Sequence, residues 1–173
     1  MAENPWYYIT LIGEPEWWAY IAIGLAVLYL ISRLAKWESK YRPSLRNFVV
    51  VLGISLIIGF GAINILKDAF QIPRPCVPCT EGVLDCNIYC KEDFSFPSGH
   101  ATTGFIAFTS LFLIVRGPKS AIIFVIPILI AASRVFLGVH TLLDVAMGGL
   151  IGIIIPYFVY RFFKAHENLI KPL

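Results

Sequence analysis

Apolar residues fall in long blocks along this chain, and polar residues collect between the blocks. A hydrocarbon core takes roughly 17 to 25 mostly apolar residues per helical crossing. Five blocks fit: Trp17 to Leu34, Phe48 to Phe70, Gly99 to Val115, Ala121 to Phe136 and Leu142 to Phe163. The fourth is short and can extend to Leu137. Pro5 to Ile12 is too short to cross, and Trp6, Tyr7 and Tyr8 suit the headgroup layer, so an interfacial helix is expected there. Trp6, Trp17, Trp18 and Trp37 all flank the first span, as interface anchors do. The pattern predicts an all-α fold: an integral membrane helical bundle of about five transmembrane helices plus the N-terminal interfacial helix. With short connections, residues 1–173 are expected to form a single domain.

Composition agrees. The chain is 58% hydrophobic and 14% charged, whereas soluble domains carry about 25% charged residues. No secretory leader is expected, because no basic segment or small-residue cleavage site precedes the first span. The net charge of +3 matters less than its distribution. The first loop holds Arg33, Lys36, Lys40, Arg42 and Arg46, the third holds Arg116 and Lys119, and the tail holds Arg161, Lys164 and Lys171. The positive-inside rule puts these in the cytoplasm and the N-terminus outside, in a multi-pass protein of the cell membrane. Only Lys67, Arg74, Lys91 and Arg134 remain on the outer side.

Alternating crossings bring three distant fragments to that outer face: Lys67 with Arg74, the run Pro97-Ser98-Gly99-His100, and Ser133-Arg134 with His140 and Asp144. Singly, each has an ordinary explanation: a snorkelling lysine, a capped helix start, a headgroup-anchoring arginine, a local hydrogen bond. Together they form a phosphate site. Pro97 fits a first helical turn, Ser98 can cap it, and Gly99 allows close approach to free N–H groups and the positive helix end. Arg74, between Pro73 and Pro75, sits on a stiffened turn, and arginine binds phosphate oxygens at two points. His140 and Asp144, four residues apart, are expected on one helical face, where the carboxylate fixes the tautomer and frees the other nitrogen. His166 in the tail is read as a solvated residue.

All four cysteines, Cys76, Cys79, Cys86 and Cys90, lie in the outer loop 71–96. Outside the cytoplasm two disulfides are the first expectation, with three pairings open; a small zinc site is the alternative. Either would clamp the loop leading from Arg74 to Ser98.

The ordered motifs Lys67…Arg74-Pro75, Pro97-Ser98-Gly99-His100 and Ser133-Arg134…His140…Asp144 resemble those of the type 2 phosphatidic acid phosphatase superfamily, which includes membrane lipid phosphatases and vanadium haloperoxidases. The resemblance covers nearly half the chain. It implies metal-independent dephosphorylation without a cofactor, through a phosphohistidine. His140 would attack, Asp144 would hold it, and His100 would protonate the leaving oxygen. Lys67, Arg74, Ser98, Gly99 and Arg134 would bind the phosphate. Many membrane members have six crossings, with the first motif after the third; here it follows the second. The implied partners are the membrane and a lipid phosphate, with no nucleic acid; the motifs do not specify an oligomeric state. Polyprenyl diphosphate is the favoured substrate, with phosphatidate or phosphatidylglycerophosphate as alternatives. A haloperoxidase-like enzyme and a catalytically silent lipid-binding or transport protein are more distant ones.

Overall fold

The computed structural model describes residues 4–36, 42–79, 86–115, 117 and 120–166. Trp37, Lys40, Arg116, Lys119 and Lys171 lie outside them, as does the side chain of Arg42. The described chain is a helical bundle: α1 (Pro5–Leu11), α2 (Pro15–Leu34), α3 (Arg42–Phe70), α4 (Gly99–Val115), a 3-10 turn (Ser120–Phe124) leading into α5 (Val125–Phe136), and α6 (Leu142–Ala165). No strand occurs among the described residues; an isolated bridge pairs Pro78 with Asn87 in the cysteine-bearing loop.

Each predicted span has its helix. The stretch containing α2, together with α3 and α6, is long and apolar enough to cross a membrane, while Gly99–Val115 and Ser120–Phe136 are shorter apolar helices. The expected interfacial segment forms α1, with Pro5 in its first turn and the Asn4 side chain accepting from the Trp6 N–H. Pro15 likewise opens α2.

Exposure divides the helices by environment. Ala22 alone is buried in α2, while Tyr20, Ile23, Leu30 and Ile31 face outward as lipid-exposed residues would. Eleven of the 17 residues of α4 are buried, so this helix is surrounded by protein and its shortness matters less than for a lipid-facing span. Three of its hydroxyls bond along the helix: Thr102 Oγ1 donates to the Ser98 carbonyl at 2.9 Å, Thr103 to Gly99 at 3.0 Å and Ser110 to Ile106 at 2.7 Å, while the buried Thr109 Oγ1 has no partner. Below them, Leu52, Leu56, Ile106, Ala107, Phe108 and Ile130 form an apolar core.

The seam between α4 and α6 fixes the rest. In a membrane, helices gain little from apolar burial against lipid and associate through close packing, which small residues permit. Gly148 and Gly152 of α6 supply it here. A Cβ on Gly148 would lie 2.6 Å from the Ser98 carbonyl oxygen, and one on Gly152 would lie 2.6 Å from both the Thr102 carbonyl and Phe105 Cβ. Those neighbours are mostly backbone and cannot turn aside. At Gly149 the nearest atoms are the Phe105 ring, and at Gly61 of α3 there is open space.

Gly152→Ala is therefore expected to destabilise the protein by about 1–3 kcal/mol, the usual range for overpacking, with Gly149→Ala milder. Gly61→Ala should be neutral or slightly stabilising, since alanine favours helix without a clash. Thermal unfolding in detergent checks the order; equal midpoints for Gly61→Ala and Gly152→Ala would contradict it.

Candidate active site

The turn between α5 and α6 builds the centre of the site. Helix α5 ends at Leu137, and Gly138 follows with φ +68°. The Gly138 N–H donates to the Val135 carbonyl and the Val139 N–H to the Arg134 carbonyl, the two bonds of a Schellman ending. The chain thus reverses and places His140 beside the end of the helix that carries Arg134. Thr141 then caps α6: its hydroxyl accepts from the Asp144 N–H at 3.3 Å, while Asp144 Oδ2 accepts from the Thr141 N–H at 2.8 Å.

His140 consequently precedes α6 instead of sharing a helical face with Asp144, as the spacing had predicted. The two remain close, with Nδ1 3.5 Å from Asp144 Oδ2, a longer electrostatic contact. Asp144 therefore both closes the capping box and faces the ring. The other ring nitrogen, Nε2, is 3.0 Å from Arg74 Nη1. A guanidinium only donates, so Nε2 accepts and the ring proton resides on Nδ1, facing Asp144. That tautomer presents a lone pair at Nε2. Burial pushes the His140 imidazole down to about 4; Asp144 opposes this, and the charges of Arg74 and Arg134 reinforce it.

Arg74 ties three segments together. Besides His140 it donates to the Val139 carbonyl at 3.1 Å and, through Nε, to Asp93 Oδ1 at 2.9 Å. Lys67, at the end of α3, pairs with the same carboxylate. Burial alone would raise the Asp93 carboxyl, but the hydrogen bonds and charges of Lys67 and Arg74 outweigh it and hold it at about 2. Asp93 was not singled out in the sequence, and it pairs with two of the cations expected to bind phosphate.

His100 enters from the first turn of α4 and is buried, its Nε2 2.7 Å from Glu14 Oε2. Lys67, Arg74, Gly99, His100 and His140 line a common cavity of about 260 Å³, with Phe60 and Ile63 of α3 adding apolar wall. A Cβ on Gly99 would meet nothing within 4 Å, so space is open next to that backbone. Arg134 is buried beside an adjoining cavity of about 340 Å³, which it lines with His100, Glu14, Lys91, Tyr7 and Thr10; its Nη1 donates to Thr10 Oγ1 at 2.9 Å. Both histidines and the three cations thus lie in or next to one pocket system.

Asp144 lines neither cavity and meets the site through His140, and Ser98 stands further apart. It lines neither cavity, its N–H donates to the Asp144 carbonyl at 3.0 Å, and its buried Oγ has no hydrogen-bond partner. Pro97 precedes α4 and so is not in its first turn, and the Ser98 side chain makes no capping bond. What Ser98 contributes in the structure is a backbone tie between the start of α4 and the start of α6.

The cysteines form two nested disulfides, Cys76–Cys90 and Cys79–Cys86. This selects one of the three open pairings and removes the thiolates that a zinc site would need. The clamped loop also anchors Asn87, whose side-chain amide donates to the Leu137 carbonyl at 2.7 Å. At the opposite end of the bundle, Arg46 of α3 and Lys164 of α6 line one cavity, so basic residues of two expected cytoplasmic segments do meet.

Residues 47–167 match the model of the PAP2 superfamily. Sphingosine-1-phosphate phosphatase 1 of Mus musculus is 26% identical over 97% of this chain, and the chain spans only 37% of that protein's length. Undecaprenyl-diphosphatase BcrC of Bacillus subtilis is 33% identical, with 84% of this chain and 71% of that protein covered. Among solved structures, a transmembrane PAP2-type phosphatidylglycerolphosphate phosphatase from Bacillus subtilis gives a TM-score of 0.65 at 21% identity, covering 95% of this chain and 80% of that one. At that identity the structural likeness speaks for the fold alone.

Two measurements probe this geometry. With its pKa lowered from 6.5 to about 4, His140 is expected to stay neutral at pH 7 and to protonate only near pH 4. The unfolded chain binds that proton more readily, so acidification from about pH 6.5 to 4 should cost stability. Histidine-selective NMR in micelles checks the titration, and a His140 midpoint near 6.5 would contradict it. Asp93→Asn should free Lys67 and Arg74, so that inorganic phosphate binds about 3- to 10-fold more tightly; weaker binding would show that Asp93 supports anion binding instead.

Proposed function

The chain belongs to the PAP2 superfamily, and on that premise we propose that it hydrolyses the terminal phosphate of a lipid, with a polyprenyl diphosphate as the favoured substrate, through a phosphohistidine at the outer face of the cell membrane. The observation that carries this reading is the cavity lined by both imidazoles and by Lys67 and Arg74. A pocket that only held phosphate would need the cations but not two histidines of differing environment. The preference for a diphosphate draws on the relative named as an undecaprenyl-diphosphatase, over two thirds of whose length this chain aligns.

In this reading Arg74 moves its hydrogen bond from His140 Nε2 to the phosphate oxygens as the substrate displaces Asp93. The freed lone pair of Nε2 forms a bond to phosphorus while the bond to the leaving oxygen breaks and its electron pair departs with that oxygen. His100 supplies the proton. Asp144 faces the Nδ1 proton and stabilises the positive charge that develops on the ring, as the carboxylate does in a histidine triad. Water then attacks phosphorus, with His100 taking its proton, and His140 is released. Lys67, Arg74, Arg134 and the backbone at Gly99 offset the charge on the equatorial oxygens. Fixed donors of this kind need little reorganisation and supply the largest share of rate enhancement.

Phe60 and Ile63 continue the cavity wall as apolar surface, so the first part of a lipid chain can leave the polar pocket along α3. The cations of α3 and α6 at the opposite end support the outward orientation of the site by the positive-inside rule.

Detergent-purified protein offered prenyl diphosphates, phosphatidate and phosphatidylglycerophosphate should release phosphate fastest from the prenyl diphosphate, and should do so in excess chelator. His140→Ala should lower kcat by about 10³-fold or more while vanadate still binds. Acid-labile, base-stable radiolabel should accumulate on the wild type alone. Full turnover in His140→Ala, or activity lost to chelator and restored by magnesium, would refute the mechanism. A clear preference for phosphatidate would reassign the substrate.

A further inference from the structure

Glu14 stands outside the residues that the family model matches, in the turn between α1 and α2, yet it makes the closest polar contact to His100. Asp93 and Glu14 both meet the pocket, but they are held differently. Asp93 is on an outer segment with its side chain 47% exposed, as suits an anion that gives way to phosphate. Glu14 is half as exposed, at 23%, and its turn is locked in place. A Cβ on the preceding Gly13 would lie 2.4 Å from Ile130 Cγ2 and 3.2 Å from the His100 carbonyl oxygen, so the backbone there is packed directly on α4 and α5. Trp18 Nε1 donates to the Ile12 carbonyl at 2.6 Å, Arg134 donates to Thr10, and Trp6 stacks on Phe136 at 4.3 Å. The turn is therefore a fixed part of the site wall.

The local charges call for a counter-ion. Arg134 shares a cavity wall with His100, and Lys91 Nζ is 3.5 Å from Glu14 Oε1. A protonated imidazole among cations is disfavoured unless a carboxylate offsets them. Glu14 meets Nε2, which leaves the other ring nitrogen for the substrate.

We propose that Glu14 is a positioning residue for the general acid: its carboxylate fixes Nε2 of His100, aims Nδ1 at the leaving oxygen and stabilises the imidazolium that donates the proton. This rests on the reading of His100 as the acid. In that step the His140 lone pair forms the P–N bond, the P–O bond breaks, and its electron pair leaves on the oxygen. That oxygen takes the Nδ1 proton, and His100 becomes neutral while Nε2–H stays bonded to Glu14.

A leaving group that needs no proton separates this role from a structural one. Decyl phosphate expels a poor alkoxide, whereas p-nitrophenyl phosphate expels a stable phenolate. Glu14→Gln is expected to lower kcat/KM about 10- to 100-fold on decyl phosphate and less than about threefold on p-nitrophenyl phosphate, with Glu14→Asp recovering most of the loss. Equal losses on the two esters would reduce Glu14 to a packing role and overturn the proposal. A gain in kcat/KM would also overturn it, because Glu14 would then be a competing anion like Asp93. His100→Asn is measured in parallel. If it shows the selective loss and Glu14→Gln does not, the acid remains His100 and Glu14 is dismissed; if it loses both esters equally, the acid assignment falls and the Glu14 role falls with it.

Discussion

The close approach of α4 and α6 through Gly148 and Gly152 is the constraint on which the rest depends. It brings the backbone of Ser98 onto that of Asp144, and those two residues adjoin the segments carrying His100 and His140. Apolar burial cannot set such a distance in a membrane, because lipid is as good a neighbour as leucine. Backbone contact can, since it leaves no rotamer to readjust. The site geometry is thus inherited from a helix crossing, and Ser98 serves that crossing through its N–H.

Charge is the second constraint. Lys67, Arg74, Lys91 and Arg134 gather beside the carboxylates Asp93, Glu14 and Glu16 at the end of an apolar bundle. Cations grouped in a partly dehydrated pocket repel one another, so a carboxylate that meets Lys67 and Arg74 together stabilises the cluster. In the proposed phosphatase reading, an incoming phosphoryl group would replace this ion pair, which would moderate its affinity.

The spans were legible because bilayer thickness turns hydrophobic length into a direct signal, and each of the five blocks became a helix. The motif residues were legible by type and order; Lys67, Arg74, Gly99, His100, Arg134 and His140 came to the pocket system, while Ser98 and Asp144 line neither cavity. What the pattern could not supply was contact between segments distant in sequence. Glu14 and Asp93 are ordinary acidic residues at helix and loop boundaries, and only the fold brings them 86 and 19 positions across the chain to His100 and Arg74. The offset of four between His140 and Asp144 suggested a shared helical face, but Thr141 is a strong N-cap and starts the helix between them. Gly138 did carry a readable signal, a glycine directly after an apolar run, which is the usual mark of a helix ending. It determines where His140 lies.

The matched family region begins at residue 47, so the seam, the cations and both histidines fall within it, whereas α1 and the Glu14 turn do not. The N-terminal segment nonetheless contacts the site at Arg134 through Thr10 and at His100 through Glu14. The disulfide-clamped loop reaches the same region, with Tyr89 stacking on Tyr7 at 5.3 Å. These two elements meet beside the cavity that His100 and Arg134 line. Tyr7 and Tyr89 thus join the N-terminal helix to the clamped loop, and both rings line the same cavity as His100 and Arg134, so segments outside the helix seam complete its wall.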